Sequence, residues 1–145
     1  MTDVDPAPAD RIRASFERQG LMRLLGAELG LVEPGRVHIT LPRRPEVSQQ
    51  HGYVHAGATS AIADSAGGYA ALTVMSPTSE VLTVEYKLNL LAPAAGDLEA
   101  IGTVLRPGRT LTVCRLEVFS VVNGERKLVA AGQQTLISVA AGPDM

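Results

Sequence analysis

The segment from Ala56 to Met75 constrains this chain more than any other. It reads Ala-Gly-Ala-Thr-Ser-Ala-Ile-Ala-Asp-Ser-Ala-Gly-Gly-Tyr-Ala-Ala-Leu-Thr-Val-Met. Its alanine content and its length predict a helix, yet Gly57, Gly67 and Gly68 each cost about 1 kcal/mol relative to alanine in a helix interior. Tiny side chains on nearly every side suit a helix that a curved sheet wraps closely, or one that another backbone or a ligand must approach. The chain has no Trp, two Phe and three Tyr against 14 Gly. Its core must therefore be built from Val, Leu, Ile and Ala, which favours close backbone packing over aromatic anchors.

The other elements follow from periodicity and turn residues. Residues 1–9 read as a flexible tail and 10–140 as a single domain, since 145 residues leave almost no room for a second one. Asp10 is a plausible N-cap for an amphipathic helix or helix pair over Arg11 to Leu25, interrupted at Gly20. Gly26 to Val32 and Arg36 to Leu41 form a hairpin around Glu33-Pro34-Gly35. Pro42 to Tyr53 is a long loop of the kind that is often functional. Beyond Ser76-Pro77 come four strands, Glu80 to Leu91, Asp97 to Leu105, Thr110 to Val122 and Lys127 to Val139, the last two joined by Asn123-Gly124, the strongest hairpin signal in the chain. Strands clustered after one buried helix, rather than alternating with helices, indicate an α+β fold with a mainly antiparallel sheet.

Several functions are disfavoured. A net charge of −2 without a basic block argues against nucleic-acid binding. No run approaches the length of a membrane span and no apolar leader is present, so the cytoplasm is the default location. Cys114 lies alone in an apolar stretch and reads as core. His51 and His55 are four residues apart, but Gly52 between them argues for loop, and no Glu accompanies them, so no metal is expected. His38 falls in a strand and reads as structural. Neither phosphate-loop nor nucleophile-elbow patterns occur, and no cofactor is implied.

Asp64 is the anomaly: a carboxylate within an apolar helix, with Ser60 and Gly68 beside it on a small-residue face. Were the chain a hydrolase, water activated by this carboxylate is the natural nucleophile, and the free amides at the helix start near Ala56 would supply an oxyanion donor. Ala56 and Asp64 lie about 12 Å apart along a helix that rises 1.5 Å per residue. Both can act on one carbonyl only if a two-fold axis brings a second helix alongside, which makes a composite dimer site.

Gln49-Gln50-His51-Gly52-Tyr53-Val54-His55-Ala56-Gly57, followed by Ala61-Ile62-Ala63-Asp64-Ser65-Ala66, resembles the signature of hotdog-fold acyl-CoA thioesterases of the phenylacetate-degradation (PaaI-like) type. That pattern runs Asn, His-Gly-Gly, then Asp on the central helix. The likeness extends over about residues 20 to 138. It implies a hotdog fold, an antiparallel sheet wrapped around a long central helix, with Asp64 as general base or nucleophile and Thr83 orienting the water. It further implies the Ala56 amide as oxyanion donor and Gln49 in the place of the Asn that polarises the thioester carbonyl. His55 and Gly57 would shape the entry to the helix, and Arg106 and Arg109 would meet the polyphosphate of coenzyme A. Gln49 and Ala56 would come from one subunit and Asp64 and Thr83 from the other, in a homodimer whose further association into a dimer of dimers is open. The same fold hosts non-catalytic acyl-CoA sensors and hydratases, which stand as the alternatives.

Overall fold

The structure, a computed structural model, describes residues 7–141. Residues 1–6 of the expected tail lie outside the described residues. The remaining three, Ala7 to Ala9, already belong to α1, Ala7–Arg18, so Asp10 sits in the first turn instead of capping it. An acidic side chain there still complements the helix dipole. A break at Gln19 separates α1 from α2, Gly20–Leu25, giving the helix pair. Strands β1, Glu28–Glu33, and β2, Arg36–Leu41, form the hairpin. A single 3-10 turn, Pro45–Val47, punctuates the long loop, and α3 runs from Ala56 to Leu72. The last four strands are β3, Ser79–Leu90, β4, Asp97–Arg106, β5, Leu111–Val122, and β6, Glu125–Ala140. Asn123 and Gly124 both take positive φ, 52° and 79°, as the β5–β6 hairpin turn demands.

All six strands pair antiparallel in the order β1-β2-β4-β5-β6-β3. The expected α+β arrangement of a sheet around one long helix is therefore present. α3 packs on β2, β4 and β5 and reaches β3 and β6. Its buried positions, among them Ala58, Ile62, Ala63, Ala66 and Ala70, recur at three- and four-residue spacing and meet Ile39, Leu98, Leu116 and Leu136 of the sheet. Ser60, Ala61, Asp64, Ser65 and Gly68 form a half-buried stripe. Across this stripe, Tyr69 of α3 is tied by hydrogen bonds to Ser15 of α1 (3.0 Å) and to Gln19 at the break between α1 and α2 (2.8 Å).

The glycines explain how near the helix comes. A Cβ on Gly102 of β4 would lie 2.5 Å from the carbonyl carbon and oxygen of Ala66 and from the amide nitrogen of Gly67. Backbone thus rests on backbone. On the helix side, a Cβ on Gly67 would overlap the Gln134 side chain and come 2.6 Å from Leu116 Cδ2. The helix cost of Gly67 is offset by this contact: Gly67 and Gly102 each leave out atoms where none fit.

Cys114 is fully buried under the same part of α3, its Sγ 3.5 Å from the Gly67 carbonyl. Burial pushes its thiol up to about 12, from 9.0. No helix among the described residues is long and apolar enough to cross a membrane.

Two outcomes test this packing. Gly102→Ala should lose about 1–3 kcal/mol in urea denaturation, the range for overpacking a tight core; unchanged stability would contradict the backbone contact. Thiol reagents at neutral pH should leave folded Cys114 unlabelled and modify it only after denaturation. Because the folded-state pKa is raised, stability from this thiol is intact below pH 9 and lost as pH rises toward about 12.

Candidate active site

The loop before α3 is held by its own backbone. Ser48 bridges Val54, Gln49 N donates to the Tyr53 carbonyl at 2.8 Å, and Val54 N donates to that of Ala94, also at 2.8 Å. The Gln49 side chain joins in: its Oε1 accepts from the amides of His51 and Tyr53. This leaves its Nε2, a donor, without a partner among the described residues.

His55 is the N-cap of α3. Its extended backbone (φ −62°, ψ 138°) ends the loop, and its Nδ1 accepts from Gly57 N at 2.7 Å. An imidazole that accepts at Nδ1 is neutral and carries its proton on Nε2. The His55 carbonyl takes the amides of Ala58 (2.9 Å) and Thr59 (3.1 Å). Of the first four amides of α3, only that of Ala56 makes no hydrogen bond among the described residues. It opens with Gln49 onto a cavity of about 510 Å³ walled by Leu90, Leu91, Ala92 and Pro93. Gly57 allows the cap, since a Cβ there would press on His55 Nδ1 at 3.0 Å.

Asp64 lies two turns further along, beside a second cavity of about 380 Å³. Its Oδ1 accepts from Thr83 Oγ1 at 2.7 Å and from Gln134 Nε2 at 2.6 Å. Ser15, Arg18, Gln19, Ser65 and Glu80 add polar groups to the same cavity. Thr83 follows Val81 onto the helix side by alternation, and a bulge comes directly after it: Thr83 faces Leu136 of β6 and Glu85 faces Thr135, so Val84 is the extra residue. Strict alternation from Thr83 would bring Glu85 and Lys87 onto the helix side. The bulge shifts the register by one and gives that side to Tyr86, opposite inward-facing Gln134, and to Leu88.

The predicted residues thus fall into two groups. Asp64 and Thr83 are in contact, and Gln49 and Ala56 share a cavity, but the two cavities are distinct within one chain. Arg106 and Arg109 are exposed at the β4–β5 turn and line neither. One participant escaped the sequence reading. Gln134 was legible only as a polar residue in an apolar strand, because its inward orientation depends on the register of β6 against β3 and β5.

The family model of the thioesterase superfamily matches residues 51–127, more than half of the chain. A thioesterase family protein of Silicibacter pomeroyi superimposes with a TM-score of 0.90 at 40% identity, over 92% of this chain and 99% of that one. The PaaI protein of the phenylacetic acid degradation operon of E. coli superimposes with a TM-score of 0.83 at 20% identity, over 96% and 98% of the two chains. A 1,4-dihydroxy-2-naphthoyl-CoA hydrolase of Listeria monocytogenes is 28% identical over 68% of this chain and 81% of its own. With its antiparallel sheet around a long helix, the chain shares the hotdog fold of PaaI, belongs to the thioesterase superfamily and is a thioester hydrolase.

Proposed function

We propose that the protein hydrolyses acyl-CoA thioesters to a carboxylic acid and free coenzyme A, in active sites shared between the subunits of a homodimer. The observation that carries this reading is the division of the site. A carboxylate held by Thr83 and Gln134 borders one cavity, and a free helix N-terminal amide borders another. One chain holds both halves, too far apart to meet on the same carbonyl.

The sheet supplies the means of joining them. β3 pairs with β6 on one side only, which leaves the opposite edge of a 12-residue strand without a partner among the described residues. Leu82, Val84 and Tyr86 on this strand are exposed, an apolar edge that an isolated monomer would have to protect. Antiparallel pairing of this edge with its copy in a second chain continues the sheet and places the Ala56 end of one α3 beside Asp64 of the other.

In that site the thioester carbonyl receives the Ala56 N–H, with the helix dipole behind it, and the Gln49 amide. Asp64 takes a proton from water as the oxygen adds to the carbonyl carbon. Thr83 holds the carboxylate in line. When the tetrahedral intermediate collapses, the carbon–sulfur bond breaks and the proton passes from Asp64 to the departing sulfur. His55 and Gly57 fix the helix entry, and Arg106 and Arg109 serve the coenzyme A phosphates.

Asp64→Asn should lower kcat on acyl-CoA thioesters by about 100- to 10,000-fold, the contribution of a general base, measured as thiol release. Full turnover in this variant would remove Asp64 from the mechanism. Ala56→Pro deletes one N–H at the first helical position, where proline is well tolerated, after a residue already extended. It should cost about 100- to 1,000-fold in kcat. Co-expressed Asp64→Asn and Ala56→Pro chains should form hybrid dimers in which one of the two sites is intact. Activity should return well above that of either variant alone; no recovery in isolated hybrids would place both groups in the same chain.

A further inference from the structure

Gln134 is the largest polar side chain in the core, 1% exposed on β6 with Leu136 beside it on the same face. A carboxamide at a helix-facing strand position is costly unless it is hydrogen-bonded. Here only one end is. Nε2 lies 2.6 Å from Asp64 Oδ1, 3.1 Å from the Asp64 backbone oxygen and 3.2 Å from Thr83 Oγ1. Oε1, buried against Gly67, has no hydrogen-bond partner among the described residues.

The orientation of the amide follows from chemistry. Exchanging its nitrogen and oxygen would set one acceptor against a carboxylate and a carbonyl, which also only accept. Gly67 makes room for the unsatisfied oxygen, since a Cβ there would overlap it. Two local rules are therefore broken together, a glycine in mid-helix and a half-satisfied amide in the core. An apolar side chain at position 134 would relieve one of them and leave the Asp64 carbonyl its ordinary helical partner. What would be lost is a second donor to Asp64 Oδ1.

We propose that Gln134 is a positioning residue for hydrolysis. With Thr83 it engages Oδ1 of Asp64, so Oδ2 is the oxygen left to receive the proton of the attacking water, and it fixes the plane of the carboxylate. This inference rests on the reading of Asp64 as the base. The other titratable groups lining the Asp64 cavity are Arg18 of α1, Tyr69 of α3 and Glu80 of β3, while β6 brings none.

The test is Gln134→Met, which keeps the length and removes the donor, assayed beside Asp64→Asn on the same acyl-CoA thioester. The kcat should fall by about 10- to 100-fold, as expected for a hydrogen bond to a charged group, with KM changed less than about threefold. The thermal midpoint should hold or rise, since a half-satisfied buried amide is gone. Gln134→Leu, shorter by one atom along the chain, reads the same quantities if the Met variant does not fold. Wild-type kcat overturns the proposal, as does a loss carried by KM instead of kcat, or a loss of activity that only follows a loss of stability. If Asp64→Asn retains full turnover, the base reading fails and this inference with it. If Asp64→Asn is inactive while the Gln134 variants are unimpaired, the positioning role alone is wrong.

Discussion

The contact between the α3 backbone and the sheet at Gly102 governs the rest of the molecule. Because Ala66 and Gly67 rest on a strand residue without a side chain, the helix sits too low at that point for any larger residue on either side of the contact. The alanine-rich composition of α3 follows from that spacing and not from helix propensity alone. With the helix so near, the short side chain of Asp64 is within hydrogen-bond range of both Thr83 on β3 and Gln134 on β6. A larger separation would leave the carboxylate unheld, whatever the chemistry of its neighbours.

Much of this was legible in the residues, and the reasons differ by element. The glycines and alanines around Asp64 announced close approach, and Asn123-Gly124 announced the last hairpin, because each depends on local backbone geometry. Asp64 stood out by its charge. Thr83 was named by resemblance to a family, not by pattern, since alternation in Leu-Thr-Val-Glu-Tyr would turn Leu82 and Val84 inward, whereas both are exposed. Gln134 could not be found by alternation alone, because its neighbour Gln133 has the same side chain and faces the opposite side of the sheet. Register is a tertiary property: a slip by one residue exchanges the two. The start of α1 at Ala7 was missed for another reason. Pro8 falls in the first turn of the helix, where the absent N–H costs nothing, whereas a proline-rich stretch reads as unstructured.

The start and the middle of α3 are specialised by different physics. At its N-terminus, loop hydrogen bonds and the His55 cap satisfy the neighbouring donors and leave one amide over. That amide has the positive end of the helix dipole behind it, which suits a developing oxyanion. At mid-helix the intrahelical bonds are complete, so the only chemistry available is that of side chains. A base can sit there, and an oxyanion site built from backbone cannot.

This division explains why one chain is a poor enzyme in the proposed mechanism and two are sufficient. Moving Asp64 toward the helix start would bring it near Ala56, but a carboxylate in the first turn would itself bind the free amides and compete with the oxyanion they are meant to receive. Separation by two turns keeps the anionic base away from the donor in its own chain. In the proposed dimer, antiparallel association restores proximity between groups that do not neutralise each other before substrate enters. The exposed apolar edge of β3, a liability for a monomer, is in this view the counterpart of that separation. Both are resolved by the same contact.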